Sequence, residues 1–266
     1  MDKLSRASSE LREMDALAAL SSPIHALHPL AKLLVTLFYI FTVVSFGKYD
    51  FSGLAAMLLY PLFAYSASGI PIRLCFRKLR VVLPLVCAVG IVNPFLDRAP
   101  LLILGSVAVS GGVVSMLTLM GKGILCLLAS FLLVATTSMD SICAALRKVH
   151  VPRTFVTLLL LTYRYAALMV DEVGVMSASY RLRAPGQRGL HFSAWGSFLG
   201  QLLLRSMDRA IEIYSAMELR GFCGDFPYAD CRRFAARDWL FLSAVCALFV
   251  LFRAVNIAAL LGAWVM

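Results

Sequence analysis

Apolar runs of membrane-spanning length alternate with short polar intervals along the chain and predict its helices. The runs predict spans over about residues 30–46, 51–70, 81–96 and 113–135, and a last span from Trp239 toward Trp264. Pro61 lies inside the second run and predicts a kink, because proline cannot donate the helical hydrogen bond. Segment 101–112 is short, β-branched and glycine-rich, which predicts an external hairpin or a re-entrant piece. The pattern indicates an all-α polytopic membrane protein with about five transmembrane helices.

A long, mostly polar interval between residues 137 and 237 predicts amphipathic coupling helices. From residue 154 it predicts one long helix that starts apolar, embedded in the membrane, and ends polar, in the cytosol. Within the same interval, stretch 206–226 closes a helix whose apolar residues recur at spacings of four and three and so share one face. These residues are Leu203, Met207, Ala210, Tyr214 and Met217. Gly221 fits the position after a helix end, where a residue without Cβ turns left-handed at low cost. Arg220 would project from that end, favourably aligned with the helix dipole. The alternative interpretation is an ordinary surface helix with an ordinary cap.

A second, weaker copy of this helix end occurs upstream. Stretch 177–186 runs as a helix to Arg183 and Ala184 and is stopped by Pro185 and Gly186. Both helices therefore end in leucine, arginine and a small residue.

Composition and charge give the chain a membrane class and an orientation. Hydrophobic residues make up 61% of the 266 residues, and charged residues only 15%, compared with about 25% in soluble proteins. Of the 25 Lys and Arg residues, 4 fall in 1–32, 4 in 71–80 and 13 in 137–237. This asymmetry predicts a cytoplasmic N-terminus by the positive-inside rule. The net charge of +10 therefore reports topology and does not predict nucleic-acid binding.

Motifs for chemistry of the chain's own are missing from the sequence. It has no P-loop, no H-E-x-x-H and no G-x-S-x-G. The 7 cysteines are scattered, and His25 and His28 would make an incomplete metal site. We therefore expect no enzymatic activity, no cofactor and no bound metal. Lys122 lies within an apolar run, where a charge costs roughly 2.5–3.5 kcal/mol on insertion scales. It could pair structurally or line a substrate path.

Two stretches carry a resemblance to a known family. AMELRGF (216–222) and, more loosely, RLRAPG (181–186) are similar to the paired Ala-Arg-Gly/Ser signatures that end the cytoplasmic coupling helices of a transporter subunit. That subunit is the transmembrane T component of energy-coupling factor (ECF) transporters, in its cobalt-type, CbiQ-like branch. The His-Pro-x-x-Lys-Leu entry at residues 28–33 and the T-T-S, A-L-R-K and V-P-R order from Thr136 also resemble it. The chain departs from the pattern at Leu182 and Leu219, which stand where alanine is usual.

The resemblance implies a non-catalytic coupling subunit of an ECF-type ABC importer. Its partners would be two ABC-type ATPase subunits, which hydrolyse ATP, and a substrate-binding S component, in the cell membrane of a prokaryote. Arg183, Ala184, Ala216, Arg220 and Gly221 would contact the ATPases. The substrate would be cobalt or nickel, with a vitamin such as biotin as the alternative. A membrane anchor or receptor for an unrelated cytosolic complex is a further alternative.

We expect three regions along the chain. Residues 1–136 would be an N-terminal transmembrane region of about four spans, residues 137–237 the cytoplasmic coupling-helix region, and residues 238–266 a C-terminal transmembrane helix.

Overall fold

A computed structural model of the chain describes most of its residues. The described residues are 13–20, 22–48, 50–70, 100–104, 107–186, 189, 191–224 and 234–254, with single residues and runs of two or three between 75 and 91. The chain divides into two compact units. We call residues 17–138 and 232–266 the membrane unit, and residues 1–16 and 139–231 the arm unit.

The membrane unit is helical apart from one hairpin in its described part. Its elements are α1 (Pro29–Ser45), α2 (Phe51–Met57), α3 (Leu59–Ser68), β1 (Pro100–Leu104), β2 (Val107–Ser110), α4 (Gly111–Thr136) and the last helix, α8 (Ala236–Ala254). Helix α1 lies at the centre and packs against both α4 and α8. Its face of Val35, Tyr39 and Val43 is fully buried, and Phe249 of α8 packs against it. An apolar stripe at helical spacing therefore forms the core of the unit.

The helices agree with the predicted spans where the structure describes them. Helix α1 matches the span predicted over 30–46 and α4 the span over 113–135, and α4 is long and apolar enough to cross a membrane. Helix α1 and the stretch Gly53–Ser68, which comprises most of α2 and all of α3, are apolar but shorter. The span over 81–96 lies largely outside the described residues, as does the end of the last span. The all-α class is confirmed.

The second span is interrupted close to Pro61, where the sequence predicts a kink. It consists of α2 and α3, which meet at Leu58, three residues before Pro61. The cause is the missing N–H of Pro61, which leaves the Met57 carbonyl without its helical donor. The Tyr39 hydroxyl donates to this carbonyl at 2.9 Å. A side chain from α1 therefore satisfies the backbone group that the proline releases.

The predicted hairpin over 101–112 is present. Strands β1 and β2 pair antiparallel, with an irregular register between Pro100 and Leu102. The chain then passes directly from Ser110 into α4 at Gly111.

The arm unit contains two long helices. Its elements are α5 (Met139–Lys148), α6 (Arg153–Arg183), a short 3₁₀ turn (Phe192–Ala194) and α7 (Trp195–Leu219). Helix α5 packs on the start of α6 through Cys143, Val156 and Leu160. Asp140 lies in its first turn and the basic residues Arg147 and Lys148 in its last, where each charge interacts favourably with the helix dipole. Helix α6 passes the same length and hydropathy test for spanning as α4, in agreement with the prediction of one long helix that starts apolar and ends polar.

Polar contacts tie the arm unit together. Arg164 of α6 forms an ion pair with Asp140 of α5 at 2.9 Å, and Arg205 of α7 pairs with Glu172 of α6. Helix α7 begins at Trp195. His191 accepts a hydrogen bond from the Ser193 N–H and caps the 3₁₀ turn that leads into the helix.

Candidate docking surface on the arm unit

Helix α7 ends in a complete glycine cap. Gly221 has φ +82, in the left-handed region. The Gly221 N–H donates to the Glu218 carbonyl at 2.9 Å, and the Phe222 N–H donates to the Met217 carbonyl at 3.0 Å. These two bonds define the Schellman motif, which satisfies carbonyls that the helix end would otherwise leave unpaired. The motif fixes the backbone of Arg220, the C-cap residue.

Helix α6 ends differently at its corresponding motif. Its last residue is Arg183, and the N–H of the cap residue, Ala184, donates to the Tyr180 carbonyl at 3.0 Å. Pro185 has no N–H with which to continue the helix, and Gly186 turns left-handed at φ +95. The predicted stop is therefore confirmed, but without the two-bond cap of α7.

The two ends share an exposed leucine and arginine. Leu182 is 84% exposed and Leu219 is 90% exposed, and the arginines that follow them, Arg183 and Arg220, are exposed as well. A leucine exposed to this extent would gain free energy if a partner removed its side chain from water. Each helix end therefore presents an apolar side chain beside a guanidinium.

The apolar stripe predicted on α7 is present but uncovered. Leu203, Met207 and Tyr214 are each more than half exposed, and Ala210 is exposed too. Within the part of the chain that the structure describes, no residue of α7 is buried. Leu199, Leu204 and Ile211 add further exposed apolar area. A large exposed apolar surface of this kind marks an interaction site.

Charged groups lie along the C-terminal half of α7. Arg209 forms an ion pair with Glu212 at 3.4 Å. The pKa of Tyr214 is raised because its hydroxyl donates to the Glu218 carboxylate, which stabilises the protonated phenol. Ala216 lies four residues before Arg220 and hence on the same side of the helix. An exposed small residue there leaves room for a partner to approach the guanidinium.

The predicted site residues therefore fall into two local sets. Arg183 and Ala184 form the end of α6, while Ala216, Arg220 and Gly221 belong to the last turn and cap of α7. An exposed arginine can bind carboxylates or helix-end carbonyls through its fork of N–H donors. Among the described residues, no group of three or more His, Cys, Asp or Glu side chains could hold a metal ion.

Comparison with known proteins identifies the family. The model of the CbiQ family, described as cobalt transport protein, matches residues 20–228. The chain belongs to this CbiQ cobalt transport family. The resemblance drawn from the two helix-end motifs is thereby confirmed.

Three curated relatives of this CbiQ-family chain differ in how much they share. The transmembrane protein EcfT of the energy-coupling factor transporter from Leuconostoc gelidum is 25% identical over 222 residues, which cover 76% of this chain and 80% of EcfT. Nickel permease LarQ from Lactiplantibacillus plantarum is 29% identical over 117 residues, 44% of this chain and 43% of the permease. Cobalt transport protein CbiQ from Rhodobacter capsulatus is 28% identical over 103 residues, 38% of this chain and 41% of that protein. The match thus spans less than half of the last two relatives.

In the membrane unit of this CbiQ-family chain, the motif that enters α1 has a structural role, with partners that the sequence alone does not show. The His28 imidazole accepts from the Leu30 N–H at 3.1 Å and caps α1. The Asp238 carboxylate accepts from the His28 N–H and from the Ala235 N–H, each at 3.0 Å. Lys32 is buried and donates to the carbonyl of Thr136, the last residue of α4, at 2.8 Å. These residues join the starts of α1 and α8 to the end of α4.

Lys122 has the corresponding role at the other end of α1. Its ammonium group donates to the Val44 carbonyl at 3.2 Å and to the Phe46 carbonyl. Arg253 of α8 donates to the Ser45 carbonyl at 3.3 Å and lies 4.8 Å above the Phe46 ring. The last carbonyls of a helix have no internal donor, and cations there are also attracted to the negative end of the helix dipole. Of the two roles left open for Lys122, the structure supports the structural one.

Proposed function

We propose that this chain is the transmembrane coupling (T) subunit of an ECF-type ABC importer. Two ABC-type ATPases dock on the arm unit, and ATP-driven closure of the ATPases moves α6 and α7. The membrane part holds a substrate-binding S component, which the motion tilts or releases. The chain itself is non-catalytic, and ATP hydrolysis belongs to the ATPases.

The observation that carries the proposal is the pair of exposed leucine-arginine ends on α6 and α7. Leu182 and Leu219 are the most exposed leucines of the described chain at 84% and 90%, and each is followed by an exposed arginine. An amphipathic helix end of this kind suits a groove on a soluble partner. Docking would cover the leucine and bring the arginine against a carboxylate or a helix-end carbonyl.

The residues have distinct proposed roles. Arg220 and Arg183 bind the ATPases, Gly221 holds the backbone of Arg220 in place, and Ala216 and Ala184 allow close approach. Arg220 is the stronger contact, because the two hydrogen bonds of its Schellman motif fix its backbone. Loss of one buried charge-assisted contact at such a junction costs about 2–5 kcal/mol.

The proposed substrate is cobalt or nickel. The names of two relatives, a cobalt transport protein and a nickel permease, support this choice. The S component would bind the metal, so the chain needs no metal ligands of its own. A T component for a vitamin such as biotin is the alternative within the same mechanism.

Capture of the ATPases tests the docking proposal. The chain is co-expressed with candidate ABC ATPases and purified in mild detergent as wild type, Arg220→Glu and Arg183→Glu. Arg209→Glu is the matched control, since Arg209 is an exposed arginine on α7 that lies away from its end. We expect wild type and Arg209→Glu to retain the ATPases, Arg220→Glu to lose at least nine-tenths of them, and Arg183→Glu to lose less.

Two outcomes would contradict the proposal. If both end variants retain as much ATPase as Arg209→Glu, the arginines are not the contacts. If wild type retains none, the chain is better explained as an anchor or receptor for another cytosolic complex. Membrane levels of each variant, measured before solubilisation, separate lost docking from lost folding.

A further inference from the structure

We propose that the membrane unit binds one acyl chain of an anionic phospholipid in a cavity between α1, α3, α4 and α8, with the lipid phosphate beside Arg237. The proposal depends on the membrane unit alone and is independent of ATPase docking.

The cavity has the size and lining of an acyl-chain site. Its volume is about 370 Å³, and its walls are almost wholly apolar. Apolar cavities of about 150 Å³ stay dry and take up hydrocarbon ligands. Water in this cavity would find few hydrogen-bond partners, because the polar side chains that line it are Lys32, Thr36, Tyr60 and Thr136. Lys32 and Thr36 already donate to backbone carbonyls. A hydrocarbon chain is therefore the favoured occupant.

The length of the cavity matches one leaflet of a bilayer. Its wall on α8 is formed by residues at helical spacing, from Phe241 through Val245 and Leu248 to Phe252. At 1.5 Å per residue this wall is about 16 Å long. The hydrocarbon region of one leaflet is about 15 Å thick, half of a core of about 30 Å. An acyl chain that enters from the membrane surface would thus fill the cavity from end to end.

The cavity opens at the surface of the membrane unit. Phe63 and Leu59 of α3 line it and are 77% and 58% exposed, and Leu248 is 41% exposed. In a helix that lies within a bilayer, exposed apolar side chains such as these can contact lipid, whose hydrocarbon core is apolar. A lipid chain can therefore enter sideways without passing through the core of the unit.

The charge lies at one end of the cavity and determines the class of lipid. Lys32 and Ile24 line this end, and the Arg237 guanidinium, which is exposed, donates to the carbonyl of Pro23 at 3.5 Å. Trp239, two residues further along α8, is 63% exposed, and tryptophans concentrate at the headgroup level of bilayers. Basic residues at this level attract anionic headgroups. In the orientation of the proposed function this end faces the cytoplasmic leaflet.

Native mass spectrometry of the purified full chain tests the proposal. The protein is incubated with vesicles of phosphatidylglycerol or of phosphatidylcholine with the same acyl chains, then transferred to mild detergent and ionised. We expect one retained phosphatidylglycerol per protein and at least fivefold less phosphatidylcholine. Glycerol phosphate, which has the headgroup charge but no chain, should not be retained.

A matched pair of variants tests whether the acyl chain lies in the cavity. Leu248→Trp places a large ring in the cavity, whereas Leu251→Trp makes the same change on an exposed leucine of α8 that does not line it. We expect Leu248→Trp to retain at least fivefold less phosphatidylglycerol than Leu251→Trp. Arg237→Gln should reduce the preference for phosphatidylglycerol over phosphatidylcholine, with Arg209→Gln as the control of equal charge change. If Leu248→Trp does not fold, Ala64→Leu fills the opposite wall of the cavity.

Three results would overturn the proposal. Equal retention of both lipids by wild type would show that the anionic headgroup is not recognised. Equal retention of phosphatidylglycerol by the two tryptophan variants would show that the acyl chain does not bind in the cavity. A photoreactive residue at position 248 that crosslinks to a membrane protein partner instead of a lipid would identify the cavity as a protein interface.

Discussion

Tyr39→Phe tests how the membrane unit tolerates a proline in its second span. Tyr39 is fully buried, and its hydroxyl donates at 2.9 Å to the Met57 carbonyl. In an unbroken helix this carbonyl would accept from residue 61, but Pro61 has no N–H. The variant removes the hydroxyl and keeps the ring, whose centroid lies 4.9 Å from that of Tyr60 and 5.2 Å from that of Phe249. The stability change therefore isolates one hydrogen bond.

The magnitude follows from the environment of this bond. Interhelical hydrogen bonds in membrane proteins contribute about 0.6 kcal/mol on average and up to about 1.7 kcal/mol. Removing a donor so that a buried acceptor is left alone costs about 1–3 kcal/mol. Both Tyr39 and Met57 are fully buried, so water cannot replace the lost donor. We expect Tyr39→Phe to lower the free energy of unfolding by about 1–2 kcal/mol.

A double-mutant cycle separates this explanation from a general loss of packing. Pro61→Ala restores an N–H that can reach the Met57 carbonyl, so the hydroxyl of Tyr39 becomes partly redundant. Tyr39→Phe should therefore cost about 1 kcal/mol less in the Pro61→Ala background than in wild type. Unfolding by SDS in mixed micelles, followed by tryptophan fluorescence, measures all four free energies.

A second tyrosine provides the control. The Tyr65 hydroxyl donates to the Leu128 carbonyl of α4 at 3.1 Å, a bond that Pro61 does not affect. Tyr65→Phe should have the same cost in both backgrounds. If the effects of Tyr39→Phe and Pro61→Ala add within about 0.5 kcal/mol, the hydroxyl does not replace the missing N–H and our account of the break at Leu58 is wrong.

Three further predictions concern the helix ends and the arm unit. Gly221→Ala and its control Gly69→Ala both place a Cβ at positive φ with nothing within 4 Å, so each should cost about 1 kcal/mol of stability. Only Gly221→Ala should reduce ATPase capture in the pull-down, and equal capture by both variants would contradict the role of the cap. Lys122→Met should destabilise the membrane unit by about 2 kcal/mol in the SDS titration, and Lys122→Arg should cost less than half of this. If Lys122→Met instead loses metal uptake while its protein level and stability stay at those of wild type, Lys122 lines a substrate path. Glu172→Arg and Arg205→Glu should each lower the yield of the ATPase complex. The double variant should restore the yield, because the ion pair is re-formed with reversed charges. If the yield does not recover, this pair does not position α6 and α7.

Local sequence signals account for the elements that were predicted correctly. The end of α7 follows from Gly221, because only a residue without Cβ reaches φ +82 at low cost. The stop of α6 follows from Pro185, and the start of α1 follows from Pro29 at its first position. The length of each apolar run similarly predicts the helices of the membrane unit. Each of these decisions involves residues within a few positions of one another.

Other features depend on residues far apart in the sequence. Pro61 predicts the break in the second span, but only the packing of α1 shows that the Tyr39 hydroxyl satisfies the Met57 carbonyl. Lys122 looked like a costly charge in an apolar run, but 78 residues separate it from the Val44 carbonyl that it binds. The assignment of Arg183 and Arg220 to ATPase docking remains a prediction, since it concerns a partner's surface.

The sequence by itself therefore determined the membrane class, the position of most helices and the two exposed helix ends, because hydrophobic periodicity, proline and glycine act through local backbone geometry. Only the tertiary structure decided which carbonyls Lys32, Lys122 and Arg253 satisfy and where a leaflet-deep cavity opens. A buried polar group must find a partner wherever the packed helices bring one within about 3 Å. That choice of partner depends on which helix faces meet in the folded protein, and the linear sequence does not show it.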